Sequence, residues 1–434
     1  LIQQTNDMIK KVLPSNSLRG TISPPPDKSI SQRAAIFSLL HEGISIIKNY
    51  SPAQDPQTAL DCVEALGAEV LKSSDSVSIK GTGRSGIKAP KEDIDCGNSG
   101  TAMRLLAGVI AGSGKQVRMC GDASLTSRTM TRIIDPLEMM GAHILARNSA
   151  YAPLMISRNG ELKPMDFELP IPSAQLKSCI LLAGLFGEKP TRVIESITSR
   201  DHTERLLKLD QKEENGKKII TASLQDEIPN QSYTVPGDFS AAAFWLVAGC
   251  IIPNSELRLE GTGLNPTRNA LLGILQEMGA NITIENERME GSEPVGDIIV
   301  NSSNLKAINI PRHQIPNCID ELPILSVAMS FAEGVSIISG AEELRHKETD
   351  RIMAISEMLK AAGVSFEEKE DGVEILGNPD FNFQSGHFKS FHDHRIAMAS
   401  AILSLKGTAS SEIIDAECAS VSYPGFWKDL EDIS

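Results

Sequence analysis

Apolar residues recur along this chain in two interleaved phrases. One ends an amphipathic helix, turns at a glycine and continues as an alternating run: CVEALGAEV at 62–70, LEMMGAHIL at 137–145, LQEMGANIT at 275–283 and MLKAAGVSF at 358–366. Glycine after the last periodic residue predicts a helix C-cap, and the alternation beyond it predicts a strand with one buried face. The other phrase joins a nearly unbroken apolar helix to a strand through a polar or glycine turn. It occurs at 38–49, 109–121, 181–195, 328–340 and 401–415, with glycines at 43, 114, 187, 334 and 407. These glycines are spaced by roughly 70 residues, except that the step from 187 to 334 is doubled. The doubled step calls for one more copy, and AAFWLVAGCIIPNSELRLEG at 242–261 supplies it. Six copies of a unit with two helices and several strands predict an α/β protein with three copies in each of two domains.

Size agrees with that division, because 434 residues exceed what one ordinary core accommodates. Aromatic residues make up only 4% of the chain, so small aliphatic side chains must fill closely packed layers. The formal charge is −14, from 42 basic and 56 acidic residues, and there is no basic run; nucleic acid is not an expected partner. Any site for anions must then be a local basic pocket in an acidic field. Cysteines stand at 62, 96, 120, 179, 250, 318 and 418, odd in number and without a CxxC pair. They read as buried thiols of a reducing, cytoplasmic protein. The N-terminal LIQQTNDMIKK has no apolar core of a signal peptide, and AAAFWLVAGCII at 241–252 is too short to cross a bilayer, so no membrane partner is expected. GTGRSG at 81–86 matches a dinucleotide-loop pattern but runs into IKAPKED rather than a helix, and no GxxxxGK[ST] is present.

The chemistry lies where polar loops meet helices. In PPPDKSISQRA, Lys28, Ser29 and Arg33 open a helix, where the dipole disfavours positive charge. An anionic ligand on the first turn would remove that conflict; a solvated helix face is the alternative. DCGNSGTAMRLLAG at 95–108 places Asn98, Gly100 and Thr101 in a small-residue turn before an apolar helix, either a phosphate cradle or a plain cap. GDASLTSRTM puts Arg128 where a loop enters a helix, PSAQLKSCILLAGL begins a helix with Ser173 and Gln175, and TSRDHTERLL adds Arg200. Asp320 and Glu321 precede an apolar helix as caps or as a base. Lys347, Glu348, Asp350 and Arg351 crowd another helix start, and Arg395 stands before a third. His392, Asp393 and His394 lack further ligands in the sequence, so no metal is expected. A cation at each loop-to-helix junction would build an electropositive cleft for small, multiply charged substrates.

PPPDKSISQRA, GNSGTAMR, GDASLTSRTM, SAQLKSCILLAG, DELPIL, KETDRI, DHRIAMA and SYPGF, in this order, resemble the EPSP (5-enolpyruvylshikimate-3-phosphate) synthase family of enolpyruvyl transferases. The resemblance implies a two-domain fold, each domain three βαβαββ units around a pseudo-threefold axis. One domain would hold residues 1–22 and 241–434, the inserted one 23–240, with the active site in the cleft between them. It implies transfer of the enolpyruvyl group of phosphoenolpyruvate (PEP) to the 5-hydroxyl of shikimate 3-phosphate, through a tetrahedral ketal, by a monomer without cofactor or metal. Carried over, Lys28, Ser29, Arg33, Ser173, Ala174, Gln175, Arg200, Asp320 and Lys347 would bind shikimate 3-phosphate. Lys28, Asn98, Gly100, Thr101, Arg128, Gln175, Glu348, Arg351 and Arg395 would bind PEP. Asp320, Glu348 and Lys28 would be catalytic.

Departures from the family pattern qualify this transfer. Thr129 follows Arg128 where Pro is usual, which implies a looser turn. Ala174 and Arg200 resemble the family's second branch, while Gly100, in place of that branch's Ala, leaves room for glyphosate. Val421 replaces a Lys, removing one closing contact. A UDP-N-acetylglucosamine enolpyruvyl transferase would carry a Cys in the loop that here reads GDASLTSR, and a non-catalytic repeat scaffold would bind phosphorylated metabolites without turnover.

Overall fold

The structure is a computed structural model and describes residues 8–434. The chain divides into two compact units. The first comprises the chain up to Pro25, Gly237–Arg288 and Pro294–Ser434; the second comprises Pro26–Pro236 and Met289–Glu293. Each has its own apolar core.

The second unit is built on three helices whose residues are almost all buried: Lys28–Leu40, Gly100–Ser113 and Ala174–Gly184. Each leads through a turn into a strand of its own sheet. The sheets order their strands as Ile44–Lys48, Ser76–Lys80, Glu69–Lys72; as Ile94–Asp95, Val117–Cys120, Tyr151–Arg158, Ala142–Arg147; and as Asp166–Glu168, Thr191–Glu195, Lys217–Ala222, Asp210–Glu214. In the two four-stranded sheets the first pair is parallel and the rest antiparallel, which is the pairing a βαβαββ unit produces. The helices approach closely through small residues. A Cβ on Gly108 would lie 2.1 Å from the Cys179 carbonyl oxygen, so only glycine lets these two backbones meet. GTGRSG also serves packing: it forms turns with no following helix, and Arg84 Nη1 donates to the Leu185 carbonyl at 2.8 Å.

The first unit repeats the scheme with the helices Phe239–Ile251, Leu322–Ser330 and His394–Ser404. Its sheets are Gly334–Ile338, Gly372–Gly377, Ser365–Lys369; Asn281–Glu290, Glu293–Asn301, Glu256–Gly263, Arg19–Ile22; and Lys10–Val12, Ser411–Ile414, His387–Lys389. Two sheets are completed by the start of the chain. Arg19–Ile22 runs parallel to Glu256–Gly263 in the place of the opening strand, and Lys10–Val12 runs antiparallel to Ser411–Ile414. SYPGF belongs to this core: Phe426 stacks on buried Trp245 at 5.1 Å, and Trp245 Nε1 donates to the Tyr423 hydroxyl at 3.0 Å. Among the described residues no helix is long and apolar enough to cross a membrane, and the seven cysteines are free, six of them buried.

Candidate active site

In the second unit, Asp27 caps the Lys28–Leu40 helix, its side chain accepting from Ile30 N at 2.8 Å. Lys28 and Ser29 thus occupy the first turn, and Lys28 Nζ lies 3.3 Å from Asp55 Oδ2. One turn on, Arg33 is buried. Its Nε donates to Thr203 Oγ1 at 2.9 Å, Nη2 to Ser178 Oγ at 3.3 Å and Nη1 to the Ser29 carbonyl at 3.2 Å. Burial, with a smaller contribution from nearby Arg200, lowers the Arg33 pKa to about 10 against the opposing pull of Asp27, Glu204 and Glu293. The guanidinium stays charged at neutral pH in a place that favours an added anion.

A second group joins two helix starts and the end of a short helix. Ser99 caps the Gly100–Ser113 helix and donates to Gln32 Oε1 at 2.7 Å. Asn98 Nδ2 donates to Asp122 Oδ2 at 2.8 Å, and its Oδ1 accepts from Arg128 Nη2 at 2.7 Å. Ser173 caps the Ala174–Gly184 helix. In that helix's first turn, Gln175 Nε2 donates to Thr101 Oγ1 at 2.9 Å, while Gln175 Oε1 accepts from Arg104 Nη1 at 2.5 Å. Arg104, the last residue of GNSGTAMR, passes so near Gly100 that a Cβ there would be 2.9 Å from its Nη1 and 3.7 Å from Arg128 Nη1. Arg128 caps the C-terminus of the short Ala123–Ser127 helix rather than opening the next one. The looser turn expected at Thr129 is absent: Thr129 bridges to Tyr151, and Met130 N donates to the Ala150 carbonyl at 2.6 Å. Backbone pairing with a neighbouring strand does there what proline's fixed φ would do.

In the first unit, Asp320 and Glu321 precede the Leu322–Ser330 helix, but Glu321 at the cap position makes no side-chain cap bond. Both carboxylates face arginines instead. Glu321 is buried and accepts from Arg268 Nη1 at 2.9 and 3.0 Å, with Ser240 Oγ also bonded to it. Arg351 is the first residue of the Arg351–Ala362 helix and spans three carboxylates. Its Nε donates to Asp393 Oδ2 at 2.8 Å, Nη2 to Glu348 Oε2 at 2.6 Å and Nη1 to Asp320 Oδ1 at 3.3 Å. Burial opposes the charge, but Asp393, Glu348 and Asp320 outweigh it and raise the Arg351 pKa. Arg395 Nη1 donates to the Asp320 carbonyl at 2.8 Å and to Ser240 Oγ at 3.1 Å. Asp393 joins the two arginines, because its Oδ1 also caps the His394–Ser404 helix by accepting from Arg395 N at 2.8 Å. His392 takes no part and stands exposed. Lys347, which directly precedes Glu348, has its Nζ 4.0 Å from Glu343 Oε1.

Ser240 and Arg268 lie outside every sequence motif. The available signal was indirect: a glutamate at a buried helix start needs a cationic partner.

The EPSP synthase (3-phosphoshikimate 1-carboxyvinyltransferase) family model matches residues 12–430. The 3-phosphoshikimate 1-carboxyvinyltransferase of Salinibacter ruber is 49% identical over 430 residues, covering 98% of this chain and 100% of that protein. Its counterpart in Syntrophomonas wolfei is 44% identical, covering 96% and 97%. Among solved structures, EPSP synthase from Acinetobacter baumannii superposes with a TM-score of 0.88 at 37% identity, covering 99% of this chain and 98% of that one. The enolpyruvyl transferase NikO from Streptomyces tendae shares the fold, with a TM-score of 0.74 at 14% identity, covering 98% and 97%.

Proposed function

We infer the roles of both clusters from the premise that this chain belongs to the EPSP synthase family. It is a transferase that moves the enolpyruvyl group of PEP to shikimate 3-phosphate, a step of the shikimate pathway. Lys28, Ser29, Arg33, Ser173, Ala174, Gln175 and Arg200 receive the phosphate and ring of shikimate 3-phosphate, and Asp320 and Lys347 its hydroxyls. Asn98, Gly100, Thr101, Gln175 and Arg128, with Lys28, Glu348, Arg351 and Arg395, receive PEP. The supporting observation is the joining of two helix starts: Gln175 holds Thr101 and Arg104 while Asn98 holds Arg128, which brings two guanidinium groups beside Gly100.

On this reading the 5-hydroxyl attacks C2 of PEP as C3 gains a proton, giving a tetrahedral ketal. Loss of phosphate with removal of a C3 proton then gives the product. Asp320 takes the hydroxyl proton, and Lys28 and Glu348 move the proton at C3. The Asp320, Glu348 and Lys28 side chains retain 16%, 34% and 23% of their exposure, so substrate can reach all three. The arginines offset the charge of two phosphates and a carboxylate. A single copy supplies every residue this scheme uses, which supports action as a monomer, and the free thiols fit a reducing cytoplasm.

Phosphate release tests the reading. PEP with shikimate 3-phosphate should release phosphate, and PEP with UDP-N-acetylglucosamine should not. Lys28→Ala should abolish release; a wild-type rate in that variant overturns the site assignment.

A further inference from the structure

Lys177 lies within the apolar Ala174–Gly184 helix, and its side chain is wholly buried. Its Nζ is 3.0 Å from Glu195 Oε2 and 2.7 Å from Glu204 Oε1, both also wholly buried, and it donates to the Ser199 carbonyl at 3.3 Å. Glu195 ends the Thr191–Glu195 strand and accepts from Ser199 N at 3.1 Å and from Ser199 Oγ at 2.5 Å. Glu204 belongs to the His202–Leu207 helix. The segment between them is therefore gripped at Ser199 and at Glu204. Asp201 is held as well, by Arg205 Nε at 2.7 Å. Arg200 sits inside this frame, and Thr203 within it accepts from Arg33 Nε at 2.9 Å.

Stability alone does not account for three buried charges. Removing ions from water costs several kcal/mol each, and apolar groups of similar volume often stabilise a core as well or better. An ionic triad adds direction: its hydrogen bonds fix where the backbone of the 199–204 loop runs relative to the helix that also presents Ser173 and Gln175. Ser178, the next residue after Lys177, contacts both Arg33 Nη2 at 3.3 Å and Thr203 Oγ1 at 2.6 Å.

We propose that Lys177, with Glu195 and Glu204, is a positioning residue that fixes Arg200 and the Arg33–Thr203 contact for the phosphate of shikimate 3-phosphate. The proposal rests on the assignment of Arg33 and Arg200 to that phosphate. The test measures the affinity of Lys177→Met for shikimate 3-phosphate and for unphosphorylated shikimate, with KM for PEP and melting temperature alongside. Shikimate 3-phosphate should bind about tenfold more weakly or worse, while shikimate and PEP change by no more than about twofold. Glu195→Gln, which keeps the shape but loosens Ser199, should shift the same ratio and serves if Lys177→Met does not fold. In an Arg200→Ala background, Lys177→Met should show a smaller effect than in the wild type, because the part that runs through Arg200 is already lost and only the part through the Arg33–Thr203 contact remains. Equal weakening of shikimate and shikimate 3-phosphate, or a fall in melting temperature with an unchanged ratio, overturns the proposal. Arg200→Ala alone separates the two levels. If it leaves shikimate 3-phosphate affinity unchanged, the phosphate assignment falls; if it weakens binding and the triad variants do not, only the positioning role falls.

Discussion

Gly100 and Asp393 show how much single positions carry. A Cβ on Gly100 would meet Arg104 Nη1 at 2.9 Å, the movable end of a side chain, so Gly100→Ala should fold. Arg104 also holds Gln175, and displacing it disturbs the proposed PEP subsite. The wild-type chain is expected to be inhibited by glyphosate in competition with PEP. Gly100→Ala should raise KM for PEP by roughly tenfold and weaken glyphosate more than that. Initial rates over both concentrations measure this, and undiminished turnover of the wild type in excess glyphosate refutes it. For Asp393, burial raises the pKa, but Arg351 and His394 outweigh it and hold the carboxyl below its usual range. A depressed folded pKa contributes stability above the unfolded value of about 3.9. That contribution is lost as the pH falls through the folded pKa. Asp393→Asn should therefore cost about 3 kcal/mol at pH 7 and flatten the loss of stability below about pH 4. Urea unfolding between pH 3 and 7 checks both; an unchanged acid slope counts against the Arg351 pairing.

Elements were legible where their signal was local. The helix–glycine–strand phrases put helices and strands in six places because each phrase is written in a few consecutive residues, and the apolar run at 241–252 falls on the fully buried Phe239–Ile251 helix and its C-cap for the same reason. Pairing across the chain left no such trace. Lys10–Val12 joins a strand near residue 411, and Arg19–Ile22 joins one near 256, through backbone hydrogen bonds that any sequence can make. The site divides in the same way. Lys28 and Arg395 stand at helix starts that can be read directly, while Arg128 lies in a motif but ends a short helix instead of opening one. Ser240 and Arg268 are recognisable only through partners distant in sequence, and so is the role of Arg104 within GNSGTAMR. Lys177 is an intermediate case, a charge inside an apolar helix whose meaning needed Glu195 and Glu204 in space. Contact between elements also makes a prediction. Gly108 lies where a Cβ would strike the Cys179 backbone, which cannot yield as a side chain can. Gly108→Ala should cost about 1–3 kcal/mol and, by parting the Gly100–Ser113 and Ala174–Gly184 helices, raise KM for PEP. Ala107→Gly, on the same helix, is the control for helix propensity, and equal effects of the two changes would refute the close-approach argument.

For the whole molecule, the decisive question is whether two separately cored units serve one reaction. Each carries part of the required chemistry: the second holds Lys28, Arg33, Arg128 and Arg200, the first Asp320, Glu348, Arg351 and Arg395. Neither set suffices for the proposed mechanism, since the cations proposed for the phosphate of shikimate 3-phosphate lie in one and the proposed base in the other. A ligand that binds only the folded form stabilises what it touches by about 2.7 kcal/mol at a hundredfold excess over its dissociation constant. Amide exchange in the reaction mixture at chemical equilibrium should therefore slow in residues 173–178 and 199–203 of the second unit and also in 347–351 and 393–396 of the first. Inorganic phosphate alone, lacking the ring hydroxyls and the enol, should slow exchange more at 199–203 than at 347–351. Protection confined to one unit in the complete mixture would mean that the two clusters do not share a substrate pair, and the proposed division of labour between Lys28 and Asp320 would fall with it.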